Sequence, residues 1–84
     1  MPTNVLTTGT TAASSSDQTV TAETVFGLKG AGDAAKIAIE QKDDAGAYNL
    51  IGHLAKPSLP SAVLSPGTYR FTRPAGPSCG VYSG

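Results

Sequence analysis

The sequence predicts an all-β protein, a small antiparallel β-sandwich or barrel of five to six strands behind an extended N-terminal arm. Apolar and polar residues alternate in short runs, and turn-forming residues interrupt those runs at roughly 8 to 12-residue spacing. No run carries a convincing helical period. With 84 residues there is room for one small domain, and the chain divides into an arm, residues 1–17, and a domain, residues 18–84.

The arm comes first. From Pro2 to Ser16 it is rich in Thr and Ser, carries no charge and has Val5 and Leu6 as its only sizeable apolar side chains. Hydroxyls solvate such a segment but offer little burial against the entropy of ordering, so it is expected to be mobile when free. Thr and Val also suit extended structure, and such an arm becomes ordered by adding to a neighbour's sheet edge or lying in a groove.

From Gln18 the texture changes. Val20, Ala22, Thr24, Phe26 and Leu28 fall at every second position, with Thr19, Thr21, Glu23 and Val25 between them, which predicts a first strand. Gly30-Ala31-Gly32-Asp33 breaks it. Ile37 and Ile39 then alternate with Lys36, Ala38 and Glu40. A helix capped by Asp33 competes here, because Ala, Lys and Glu favour helices. Against it, isoleucines two apart point about 200° apart on a helix but to one side of a strand. Strand is the reading favoured for residues 34–42.

Lys42-Asp43-Asp44-Ala45-Gly46 has the length and residues of a hairpin tip. The strand after it spans Ala47 to Leu54, with Tyr48, Leu50 and Leu54 on one side, Ala47, Asn49, Ile51 and His53 on the other, and Gly52 weakening the middle. Lys56-Pro57-Ser58-Leu59-Pro60 is a loop, since proline lacks a donor and fixes φ. Ala62, Val63 and Leu64 form a short strand. Ser65-Pro66-Gly67-Thr68 places Pro and Gly at the centre of a type II turn, and Tyr69 and Phe71 alternate with Arg70 and Thr72 after it. Pro74-Ala75-Gly76-Pro77 turns the chain into a last short strand, Cys79 to Tyr82.

Composition narrows the function. Six Lys and Arg balance six Asp and Glu, so there is no general pull toward nucleic acid or an anionic membrane, and neither is an expected partner. One cysteine, Cys79, permits neither an intrachain disulfide nor a cysteine cluster for zinc. The beginning of the sequence lacks the basic start and apolar stretch of a signal peptide, and no apolar run reaches membrane-spanning length. A soluble protein made in a cytoplasm is expected.

Candidate catalytic features are thin. Gly30 to Ala35 mimics a G-x-G-x-x-A dinucleotide fingerprint, but Tyr48 to Ala55 lacks the acid that would hold the ribose, and the chain is too short for a doubly wound sheet. Asp33 stands where a phosphate-binding loop from Gly27 needs lysine. His53 and Cys79 can be imagined as base and nucleophile with Asp43 or Asp44 orienting the imidazole, yet a strand histidine is more often packed or solvated, and Cys79 beside Gly80 reads as a small hydrophobe. Asp43-Asp44 lacks calcium-loop spacing. No enzyme activity, cofactor or metal is expected. Arg70 and Arg73 read as exposed strand residues or as partners for acids on a neighbouring subunit.

The ordered strands make the chain similar to the small β-sandwich virion proteins of tailed bacteriophages, the head-decoration, capsid-cement and head-fibre class. The residues carrying this resemblance are Val25-Phe26-Gly27-Leu28-Lys29-Gly30, Ala35-Lys36-Ile37-Ala38-Ile39-Glu40, the tip Asp43-Asp44-Ala45-Gly46 before Tyr48, and Leu64 through Gly76 leading to Gly80-Val81-Tyr82. A Pro-Gly-Thr-Tyr-Arg turn into a strand also occurs in immunoglobulin-like modules. In place of a second Gly-rich hairpin tip this chain has the Lys56 to Pro60 loop. The resemblance implies a non-enzymatic protein on the outer capsid surface, made in the host cytoplasm, which bridges major capsid protein subunits as a homo-oligomer, with a trimer favoured. Thr3, Val5, Leu6, Thr8 and Thr10 of the arm, with Arg70 and Arg73, are then the expected partner-binding residues. A tail or baseplate component is an alternative. So is a host-surface or carbohydrate-binding module using Tyr48, Tyr69 and Tyr82.

Overall fold

In the computed structural model, which describes residues 3–56 and 58–84, alternating sequence becomes two antiparallel sheets enclosing one core. Nine strands follow in chain order: β1 (Thr3–Gly9), β2 (Ala13–Ser14), β3 (Gln18–Val20), β4 (Thr24–Lys29), β5 (Lys36–Lys42), β6 (Tyr48–Ala55), β7 (Ser61–Leu64), β8 (Gly67–Arg73) and β9 (Cys79–Ser83). One sheet has the order β1-β9-β4-β7. In the other, β2 and β3 pair in turn with the same edge of β8, and β5 and β6 follow. Together they form an all-β sandwich with no helix among the described residues. Pro57, Met1 and Pro2 carry parts of the loop and arm expectations and lie outside the described residues.

The isoleucines decide residues 34–42 as sequence spacing suggested. Ile37 and Ile39 point into the core from β5, and Lys36 and Glu40 point away. Phe26 of β4 meets Phe71 of β8 across the sandwich with ring centroids 4.9 Å apart, and Leu54, Val81 and Cys79 complete the most deeply buried group. At the β5–β6 tip, Asp43 Oδ1 accepts hydrogen bonds from the N–H groups of Ala45 and Ala47, both at 2.9 Å. Gly46 takes the left-handed φ of 84° that closes the turn.

The predicted first strand is two strands in different sheets. β3 ends at Val20, the exposed residues Thr21, Ala22 and Glu23 turn the corner, and β4 begins at Thr24, whose hydroxyl donates to the Ala22 carbonyl at 2.8 Å. The period of two survives this crossing because both sheets face one core, so Val20 and Phe26 are both buried. The type II turn expected at Pro66-Gly67 is also absent. Gly67 has no positive φ and opens β8 opposite Val20, while β7 lies in the other sheet, so this segment is a crossover rather than a hairpin. Tyr69 secures it, its hydroxyl donating to the Ser65 carbonyl at 2.6 Å.

The arm differs most from expectation. Its extended backbone adds to a sheet edge of its own chain: β1 pairs with β9, with Leu6 opposite Val81 and Gly9 opposite Cys79. Register shifts on either side of Leu6 interrupt strict alternation, so the adjacent Val5 and Leu6 are both buried. Arg73 closes the arm from beneath. Only 5% exposed, it donates from Nε to the Thr11 carbonyl at 2.7 Å, and from Nη1 to the carbonyls of Thr7 at 2.7 Å and Cys79 at 2.8 Å. Ser15 bridges the gap between β2 and β3, exchanging backbone and side-chain hydrogen bonds with Phe71.

Candidate functional site

Two surfaces stand out, one polar and one apolar. The polar surface is the outer face of the sheet containing β8, β5 and β6. Direct cross-strand pairing sets Glu40 beside Arg70 and Lys42 beside Tyr48. Arg70 Nε reaches Glu40 Oε1 at 2.9 Å, and the Thr72 hydroxyl donates to the same oxygen at 2.7 Å. The Arg70 guanidinium also lies 3.7 Å from the centre of the Tyr48 ring, and the Tyr48 hydroxyl donates to Asp17. Lys42 pairs with the other Asp17 oxygen at 3.4 Å.

Ionisation follows these contacts. The Tyr48 hydroxyl holds the Asp17 carboxyl below its ordinary range, and Asp17 in turn pushes the Tyr48 phenol up. Arg70 lowers Glu40, with help from Thr72, and is itself raised by it. Asn49 and the turn N–H groups lower Asp43. The charges are thus satisfied among themselves, and the cluster reads as a self-contained polar network. Next to it, Lys36, His53, Thr72 and Pro74 surround Ala38 in a shallow depression of about 290 Å³.

The residues imagined as a catalytic pair are not brought together. Cys79 lies on β9 in the core, 1% exposed, and burial pushes its thiol up, away from the reactive thiolate. His53 lies on β6 in the other sheet, beside the depression. Asp43 is occupied by its own turn. Among the described residues, no three His, Cys, Asp or Glu side chains gather as a metal site.

Of the residues expected to bind a partner, Thr3, Thr8 and Thr10 are exposed along or just after β1, whereas Val5, Leu6 and Arg73 are buried in their own chain. The exposed or intersubunit position expected for Arg73 is therefore corrected: its three backbone carbonyl partners all lie within the chain. Arg70 has its acid, Glu40, on the adjacent strand. The tyrosines form no shared platform, since Tyr69 is 3% exposed, Tyr48 has Arg70 over its ring and Tyr82 lies in the other sheet from both, packed on its cross-strand partner Gly27.

The apolar surface was not singled out from sequence. Val25, Leu50, Ile51, Leu59 and Val63 are exposed by 39%, 60%, 49%, 48% and 60%. All five lie on β4, β6, β7 or the connection between β6 and β7, with Val25 and Val63 in one sheet and Leu50, beside Glu40, on the outer face of the other. Val25 and Val63 are direct cross-strand partners on the outer face of their sheet. A signal was present: Val25 occupies the polar phase of its strand, and Leu50-Ile51 is apolar on consecutive positions. No family model matches the chain, and no curated protein or solved structure is significantly similar to it.

Proposed function

We propose that this protein is a non-enzymatic structural component of a bacteriophage virion, decorating or cementing the head by bridging major capsid protein subunits on its outer surface. The resemblance of the sequence supplies the class, and the β-sandwich is compatible with it. The observation that carries an attachment role is the exposed Val25–Val63 pair, two apolar side chains directly opposite each other on the outer face of the β1-β9-β4-β7 sheet. Adjacent exposed apolar side chains on the outer face of a sheet offer a contact site.

In this reading attachment moves away from the arm. Val5 and Leu6 belong to the core, so the residues that meet the shell are the Val25–Val63 pair. Burying a valine side chain is worth roughly 1.5 kcal/mol or more, so losing the pair weakens attachment by an order of magnitude or more.

The test is co-sedimentation of purified protein with capsids of the phage that encodes it. Saturable binding that falls at least tenfold in a Val25→Glu/Val63→Glu variant is expected. Folded protein that leaves the capsids bare, or a variant that binds undiminished, overturns the reading. Deleting the arm is a poor probe, because it removes β1 from the sheet.

A further inference from the structure

The free edge of β6 differs from the other edges of the molecule. From Tyr48 to Ala55 it contains no Lys, Arg, Asp, Glu or Pro, the residues with which soluble proteins usually blunt an open strand. β7 is only four residues long and is bounded by Pro60 and Pro66. β2 and β3 are short and interrupted, and β1 shifts register twice. β6 has one irregularity, where Gly52 faces Ile39 and Leu50 faces Glu40, leaving Ile51 as the extra residue. That bulge bends the strand without charging it, and Leu50 and Ile51 remain about half exposed or more, at 60% and 49%.

Neighbouring groups identify the occupant. At one end of β6, Ala55 exchanges two backbone hydrogen bonds of 2.8 Å with Leu59, so the open stretch runs from Tyr48 to Leu54 and is centred on Ile51. Its two ends carry opposite charge. Exposed Asp43 and Asp44 occupy the tip before Tyr48, where Lys42 is engaged by Asp17. Exposed Lys36 and Lys56 flank Ala55. An antiparallel strand with the same distribution sets acid beside base at both ends, and β6 of a second copy is such a strand.

We infer that two copies associate about a twofold axis between Ile51 and Gly52, β6 against β6 with Leu50 of each copy opposite His53 of the other, and join their sheets into one. Lys56 of each copy then falls opposite Ala47 of the other, beside the tip carrying Asp43 and Asp44. The contact is isologous and closes on itself, so it stops at two. It leaves Val25 and Val63 on the other sheet uncovered, and it stands whether or not the larger partner is a capsid.

Sedimentation velocity on the full chain, from micromolar to millimolar concentration, tests it. A monomer–dimer equilibrium is expected that weakens with added salt, as solvent-exposed charge pairs do. Ile51→Lys weakens association at least tenfold, with circular dichroism unchanged because the side chain is exposed. Asp44→Lys and Lys56→Asp each weaken it, and the two together restore it, a readout that does not depend on Ile51. A monomer throughout, a trimer, a dimer indifferent to Ile51→Lys, or a double charge swap without rescue each overturns the inference.

Discussion

The two sides of the sandwich meet the same problem in opposite ways. Each sheet has two ends, and every end leaves backbone donors and acceptors without a neighbouring strand. On the side of β1, β2 and β3, the strands are short or irregular, their outward side chains are mostly hydroxyls, and Arg73 ties three carbonyls together from beneath. On the side of β6 and β7, Leu50, Ile51 and Val63 stand in solvent. The first side is built to be finished. The second leaves apolar side chains uncovered, and the stability of the fold is expected to depend on the two sides very unequally.

Arg73 carries the largest expected effect. It is a buried cation held by backbone carbonyls, so replacing it with Met removes a desolvation cost but leaves those carbonyls of Thr7, Thr11 and Cys79 without their donors. With hydrogen bonds from a charged donor worth about 1.5 to 3 kcal/mol each, a net loss of about 3 kcal/mol is expected from urea unfolding. Arg73→Lys recovers little, because one ammonium cannot span the positions reached by Nε and Nη1. A loss under about 1 kcal/mol would mean that β1 holds without its clasp.

Gly80 comes next. A Cβ there would lie 2.5 Å from the Leu6 carbonyl oxygen and 2.7 Å from the Thr8 nitrogen, both backbone atoms of β1. Gly80→Ala therefore displaces β1 and loosens Val5 and Leu6, at a cost of about 1 to 3 kcal/mol. Amide exchange localises the effect: protection is expected to fall in β1 before it falls in β5 or β8.

These two sites also show what the sequence could and could not reveal. Ile37 and Ile39 made β5 legible because their spacing suits a strand and not a helix, and Asp43 and Gly46 made the tip legible through turn chemistry. The crossing at Thr21 to Glu23 was hidden because alternation continues in phase from one sheet to the next. The arm was hidden because its buried pair is adjacent, which a bulge permits and strict alternation does not. Arg73 lies in phase with Tyr69 and Phe71, and that phase marks it as inward-facing. Its charge argued for solvent, and the three carbonyls that accept its hydrogen bonds come from segments no local pattern places nearby.

Acid acts on the polar contacts that flank both sides. Asp17, Glu40 and Asp43 are all held below their ordinary values, which are 3.8 for aspartate and 4.5 for glutamate. Between the lowered and ordinary values the folded chain binds fewer protons than the unfolded one, so stability rises with pH in that window. The contribution is complete above the ordinary values and is lost as pH falls through the lowered ones. The thermal midpoint is accordingly expected to be flat near neutrality and to fall in the acid range, with a shallower fall in Asp43→Asn. A midpoint indifferent to acid would show that these exposed contacts do not support the fold.

The smallest effect is expected where the apolar side chains are most visible. Leu50 and Val63 are each 60% exposed, so most of their surface stays in water when the monomer folds and little of their transfer free energy contributes to its stability. Leu50→Thr and Val63→Thr are expected to change unfolding free energy by no more than about 0.5 kcal/mol at concentrations where the chain is monomeric. Leu6→Thr on the opposite side, where the side chain is 8% exposed, should cost about 2 kcal/mol or more. A loss from Leu50→Thr as large as that from Leu6→Thr would show that β6 contributes to the monomer's own stability and would erase the distinction between the two sides. A near-zero change accompanied by weaker self-association or capsid binding would place the energetic role of these residues outside the monomer.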